Sequence, residues 1–268
     1  MLRRLDTELV RRGLARSRES ARELIEAGEV LISGIPCQKV TRQVSDTDAI
    51  ALKSPEERWV SRGAHKLIGA LDAFAAQGLS VSGRVALDAG ASTGGFTQVL
   101  LRRGVERVFA VDVGYGQIAW ELRSDERVEV IERVNVRHLR PEQLAAVPDL
   151  AVADLSFISL KTVLPAIINA TAPAADLVLM VKPQFEVGRE LVGDGVVRSP
   201  ELRAQAVRGV VDFAQANGVG LRGVCASPLP GPEGNVEYFV WLVKGGSPLP
   251  DADVENAVVA AIEGGPTG

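Results

Sequence analysis

Val85-Ala86-Leu87-Asp88-Ala89-Gly90-Ala91-Ser92-Thr93-Gly94-Gly95-Phe96 runs from an apolar strand into a turn of small residues, and Thr97 to Leu101 then opens a helix. A strand that passes through glycines into a helix start is the opening unit of an open α/β sheet, in which ligands sit beyond the carboxyl ends of the strands. Small residues in the turn let the backbone come close to such a ligand. A dinucleotide fingerprint would need glycine where Ser92 stands, and a phosphate loop would need a Gly-Lys-Ser/Thr ending, so neither reading fits.

Outward from this stretch, apolar runs alternate with helical ones: Val85 to Leu87, Val108 to Val111, Val128 to Ile131, Leu150 to Ala153, Leu177 to Val181, Val219 to Val224 and Val236 to Leu242. That alternation predicts a parallel, doubly wound sheet. Asp112 closes the second strand, 22 residues after Gly90, where an acid can reach a ribose laid across the sheet crevice.

The rhythm before residue 59 is different. Leu5, Leu9 and Val10 form a short helical stripe ending at Gly13. Ser17 can cap a second helix with Ala21, Leu24 and Ile25 inward and Gly28 as its stop. Val30 to Ile32 and Ala49 to Leu52 read as strands, with a turn at Ser33-Gly34. Pro55, Glu56, Glu57 and Arg58 close this unit, giving an α+β domain over 1–58, a linker over 59–61 and a larger α/β domain over 62–268.

The whole chain of 268 residues carries 46% apolar and 24% charged side chains, which excludes wholesale disorder and scaffolds built on disulfides or collagen repeats. Asp6 and Glu8 with Arg11 and Arg12 interrupt any apolar leader after the start, and Pro165, Asn169, Pro173 and Asp176 break the long weakly charged stretch at 163–181. A cytoplasmic, monomeric protein without a membrane segment is the expectation. Cys37 and Cys225 match no metal-ligand spacing, nor do His65 and His138, so no metal is expected. Net charge is −4, but residues 1–24 hold 7 Lys/Arg against 4 Asp/Glu. All seven are arginine, the better fork for phosphate.

Arg16-Ser17-Arg18-Glu19-Ser20-Ala21-Arg22-Glu23-Leu24-Ile25, followed by Gly28-Glu29-Val30 and Gly34, resembles the S4 RNA-binding domain. The resemblance implies that the helix pair docks structured RNA, with Arg4, Arg16, Arg18 and Lys39 as contacts. Asp88, the turn at Gly90, Ser92, Thr93, Gly94, Gly95 and Phe96, and Asp112 resemble the S-adenosylmethionine site of Rossmann-like methyltransferases. Asn135, Asp154 and Phe157 are further candidates for that cofactor.

Amino-group methyltransferases usually carry Asn/Asp-Pro-Pro-aromatic after the fourth strand, where this chain has Asp154-Leu155-Ser156-Phe157. Carbon methylation needs a nucleophilic cysteine, and Pro36-Cys37 lies outside the cofactor domain. Lys66, Asp154, Lys182 and Glu237, in that order, resemble the tetrad of FtsJ-type ribose 2′-O-methyltransferases. A ribose hydroxyl is a very weak acid, so a desolvated lysine beside it can take or polarise its proton while the acids fix the lysines.

Together with Arg58-Trp59-Val60-Ser61-Arg62-Gly63 and Gly231 to Phe239, these motifs make residues 3–243 similar to the TlyA family, which joins an S4 domain to an FtsJ-like methyltransferase. The resemblance implies methylation of cytidine 2′-hydroxyls in ribosomal RNA within ribosomal subunits. Two rivals are a catalytically silent RNA-binding assembly factor and a haemolysin, a label the family has also carried.

Overall fold

The computed structural model describes residues 2–15, 17–53 and 59–266, which divide into two compact units, residues 1–65 and 66–268. Residues Pro55 to Arg58, which close the first domain in the sequence reading, and the candidate contact Arg16 lie outside the described residues.

In the first unit, helix Leu5–Arg11 is followed by helix Arg18–Glu26, and Ser17 caps the latter by accepting from the Ser20 amide at 3.1 Å. Strand Val30–Ile32 pairs with Ile35–Pro36 and Ile50–Leu52. The turn between the first two uses Ser33 at φ 51° and Gly34 at φ 81°, the left-handed pair that a tight two-residue hairpin requires. A strand absent from the sequence reading, Arg3–Arg4, pairs with Gln43–Val44 and anchors the chain start. Leu5, Leu9, Ala21, Ile25, Val30 and Val44 fill the core. His65 meets the Ala27 carbonyl through Nε2 at 2.7 Å, a packing role within this unit.

The second unit is built on seven strands: β1 Val85–Ala89, β2 Arg107–Asp112, β3 Val128–Glu132, β4 Leu150–Ala153, β5 Asp176–Val181, β6 Val219–Ala226 and β7 Tyr238–Lys244. Their order is β3-β2-β1-β4-β5-β7-β6, reversing beside β1 so that a crevice opens between β1 and β4. Pairings among β1 to β5 are parallel. The expectation of a wholly parallel sheet is corrected at the end: β7 runs antiparallel to both β5 and β6. Residues 227–237 contain no helix, and a short helix-free connection returns the chain antiparallel rather than crossing over.

Strands β1, β4 and β5 are buried apolar runs, as expected for a sheet covered on both faces. Helix Leu160–Ala170 buries Leu160, Val163, Leu164 and Ile167, and helix Pro200–Ala216 buries Val207, Val210 and Val211 in one continuous core. Asp176 opens β5 by accepting from Trp241 Nε1 at 2.7 Å and from Arg84 at 2.6 Å, which ties three elements at the rim opposite the crevice.

The first unit rests on few apolar side chains, so one truncation removes much of its margin. Leu9→Ala is expected to cost about 2 to 5 kcal/mol and to unfold residues 1–65 selectively. Hydrogen exchange should then show reduced protection at Val30–Ile32 while β1 to β5 stay protected.

Candidate active site

Gly90, Asp112, Asp154 and Lys182 all stand at or just beyond the carboxyl ends of parallel strands. Glu237 reaches the same rim because β7 runs the other way: Tyr238 is in register with Val181, so the residue before β7 lies beside the residue after β5. A parallel last strand would have carried Glu237 to the opposite edge.

A cleft of about 560 Å³ opens over this rim, with Gly90, Ser92, Asp112, Asn135, Asp154 and Phe157 among its walls. Gly90 is at φ 88°, and a Cβ there would come within 2.7 Å of the Asp154 carbonyl oxygen, so only glycine keeps β1 and β4 this close at the crevice. Asp112 accepts from the Ser92 amide at 2.8 Å and the Gly114 amide at 2.6 Å. Its carboxylate therefore braces the glycine turn as well as facing the cleft. Val113, Gln117, Val134, Val136, Leu155, Ser156, Ile158 and Val163 complete the lining and escape the sequence reading. Their only signal is position, since most directly flank the acids and Asn135.

Thr93, Gly94, Gly95 and Phe96 do not line the cleft. Phe96 is buried and packs on Phe239 at 6.1 Å between ring centroids, and Gly94 at φ 97° starts the helix, where a Cβ would strike Leu122. Thr93 accepts from the Ala119 amide through its carbonyl. These residues shape the turn from behind. Asn135 is exposed, and its side chain caps a short turn by accepting from the Arg137 amide at 3.1 Å.

Asp88 is also behind the cleft, wholly buried, and accepts from Thr97 Oγ1 at 2.6 Å, while its second oxygen has no hydrogen-bond partner. Burial pushes its carboxyl up to about 7; the Thr97 bond opposes this, and the charges of Asp154 and Asp112 add to it. Asp112 and Asp154 line the crevice itself, an environment that favours a cation.

The four candidate catalytic residues form two ion pairs. Lys66, from helix Gly63–Ala75, donates to Glu237, and both are buried. Lys182 lies 2.5 Å from Asp154 and donates to Ser156 Oγ at 2.9 Å. Ser156 is an added member of this constellation. Lys182 and Glu237 also line a second, smaller pocket of about 230 Å³ with Ser156, Phe157, Gln184 and Phe185.

Phe157 borders both cavities, is 91% exposed and sits at φ 64°, a costly conformation for a bulky residue. Glu186 holds the adjoining segment by accepting from Ser159 Oγ at 2.7 Å and from the Leu160 amide at 2.6 Å. Burial pushes the Glu186 carboxyl up, against those hydrogen bonds.

On the first unit, Arg4 and Arg18 both reach Asp6, at 3.0 Å each, and Arg22 pairs with Glu26. Asp6 is held well below the usual carboxylate range, chiefly by the Arg4 hydrogen bond. Arg4, Arg18 and Arg22 border one groove with Val40 and Thr41, and neighbouring Lys39 is exposed. Arg11 and Arg12 instead pair with buried Glu8. The arginine excess in residues 1–24 is thus partly neutralised within the fold.

Comparison with known proteins places this geometry. The model of the FtsJ-like methyltransferase matches residues 59–244, and that of the S4 domain matches residues 3–50. The chain is 58% identical to the 16S/23S rRNA (cytidine-2′-O)-methyltransferase TlyA of Mycobacterium tuberculosis, over 98% of each chain. It is 34% identical to Hemolysin A of Brachyspira hyodysenteriae, over 90% of this chain and 99% of that one. A solved structure described as "Putative hemolysin from Streptococcus thermophilus" superimposes with a TM-score of 0.74 at 37% identity, covering 98% of this chain and 96% of the other. No helix among the described residues is long and apolar enough to cross a membrane.

The buried carboxyl of Asp88 makes stability pH-dependent. The folded state retains this proton up to about pH 7, whereas the unfolded chain releases it near 3.8, so stability falls as pH rises across that window. Asp88→Asn should flatten the change. Thermal melts at pH 5 and pH 8 should show a smaller drop for the variant than for the parent.

Proposed function

The chain belongs to the TlyA family, in which an S4 domain precedes an FtsJ-like methyltransferase domain, and from that premise we infer an S-adenosylmethionine-dependent 2′-O-methyltransferase acting on cytidine of ribosomal RNA. The observation that carries this reading is the pair of adjoining cavities. One is an acid-lined crevice beside a glycine turn, the other a smaller pocket, and the Lys182–Asp154–Ser156 constellation stands between them.

The larger cleft suits S-adenosylmethionine on the chemistry of its walls. The Gly90 cradle admits the methionine part, Asp112 can take the ribose hydroxyls with the lone pairs its two amide bonds leave, and Val113 and Val134 offer apolar surface to the adenine. The acidic lining of the cleft favours the positive sulfonium. When bound, the cofactor supplies an electrophilic methyl group.

In this reading the chain's own residues prepare the acceptor. The smaller pocket receives the target nucleotide, with its 2′-hydroxyl directed at Lys182 Nζ, which as the free amine accepts the hydroxyl proton as the oxygen is methylated and becomes an ammonium. Asp154 and Ser156 fix that ammonium, and the Lys66–Glu237 pair supports the pocket from behind. Arg4, Arg16, Arg18 and Lys39 of the first unit contact RNA phosphates. Action on ribosomal subunits implies a cytoplasmic location. Tritiated-methyl transfer to ribosomal subunits, with mapping of ribose methylation, tests the reading. Failure to label would favour the silent assembly factor, and dye leakage from liposomes would favour the haemolysin.

Lys182→Ala should lower single-turnover methylation by roughly a hundredfold or more, the scale on which a positioned acid or base contributes, while cofactor and RNA affinities change little. Lys182→Arg should also fail, because a guanidinium is larger and stays charged. Near-normal rates for Lys182→Ala would move the role to Lys66. Separately, Arg4→Ala with Arg18→Ala should weaken RNA binding and reduce its log-log salt slope by about 0.7 to 0.9 for each phosphate no longer neutralised. An unchanged slope would mean that these arginines serve the fold through Asp6.

A further inference from the structure

Apart from Glu233 at the exposed rim, the polar side chains of the smaller pocket are nearly all committed to partners within the protein. Ser156 and Lys182 bind one another, and Glu237 holds Lys66. Asn235 accepts from the Val197 amide at 2.9 Å and donates to the Gly195 carbonyl at 2.8 Å, so its amide is spent on the pocket wall. Gln184 differs. Its Oε1 is buried and has no hydrogen-bond partner. A buried acceptor left unmet is costly, and because Gln184 lines the pocket, a small rotation of its amide would bring Oε1 to a donor arriving with the ligand.

We propose that Gln184 is the base-reading residue of this pocket and selects cytidine through Oε1. This rests on the ribose-methylating reading above. Gln184 stands two positions after Lys182, separated by Pro183, whose ring fixes the local backbone. The base is attached at the ribose carbon next to the one bearing the 2′-hydroxyl, so a hydroxyl directed at Lys182 brings the base into the same small pocket. Phe157, Phe185 and Pro232 give that pocket flat apolar walls suited to a pyrimidine ring. The N4 amino group of cytosine is a donor and satisfies the Gln184 oxygen. Uracil presents the O4 acceptor at the same position, and two acceptors repel. The preference therefore arises as much from rejecting uridine as from holding cytidine.

The test uses the full chain and ribosomal subunits, first with the mapped target cytidine and then with that nucleotide changed to uridine. The parent protein should methylate cytidine faster than uridine by about tenfold or more, the scale of one discriminating buried hydrogen bond. Gln184→Met removes the acceptor at similar size and should bring the two rates together, chiefly through a slower cytidine reaction, with S-adenosylmethionine affinity unchanged. Equal rates for cytidine and uridine in the parent would overturn the proposal while leaving the methyltransferase reading intact. So would a Gln184→Met variant that keeps the parent's preference or slows both nucleotides alike. No labelling of either substrate by the parent would instead sink the methyltransferase reading, and this proposal with it.

Discussion

The site depends on the reversal of the last strand. Parallel strands deliver their carboxyl ends, and the residues after them, to one rim of the sheet; β7 alone delivers its beginning there. The register of Tyr238 with Val181 brings Glu237 and Lys182 to a common wall from opposite chain directions. Tyr238 to Leu242 are all buried, so β7 is packed on both faces, and a one-residue slip would exchange side chains of different shape between the two packed layers. That wall is thereby locked to the packing of the core, with Tyr238 and Phe239 buried immediately after Glu237.

The electrostatics of the wall follow from that placement. Two lysines and two acids meet as two neutral pairs, so each charge removed from water is offset by a neighbour. The crevice beside them is different in kind. Asp112 faces it with a carboxylate braced by two backbone amides, and Asp88 lies buried behind with one oxygen unmatched. A neutral wall facing an acidic crevice separates the two tasks of the reading proposed here, handling a hydroxyl on one side and welcoming a cation on the other.

Most of this is legible in the chain because it follows local rules. The seven strands, the Ser17 cap, the Ser33-Gly34 turn and the candidate cofactor acids are each written in a short window with a steric or hydrogen-bonding cause. What stays hidden is non-local. Strand Arg3–Arg4 exists only through its pairing with Gln43–Val44, and the direction of β7 depends on a connection whose lack of helix is easy to overlook. Phe96 resembles a cofactor contact by adjacency to the glycine turn, but the first turn of its helix points the ring toward Phe239 in the core. Ser156 is an ordinary serine between Leu155 and Phe157 until the fold sets Lys182 next to it.

The carboxylate of Asp6 bears on how the first unit meets a polyanion. With Arg4 and Arg18 already gripping it, a phosphate approaching that groove enters an exchange in which one anionic partner displaces another, instead of neutralising bare charge. The guanidiniums are held in a fixed fork before any ligand comes, so a phosphate that matches the spacing gains two oriented donors at little entropic cost. A loosely fitting one must compete with an acid that is always at hand. If these arginines bind RNA as proposed, the internal acid works as a resident competitor, raising the threshold for casual contact with any RNA and leaving discrimination to shape.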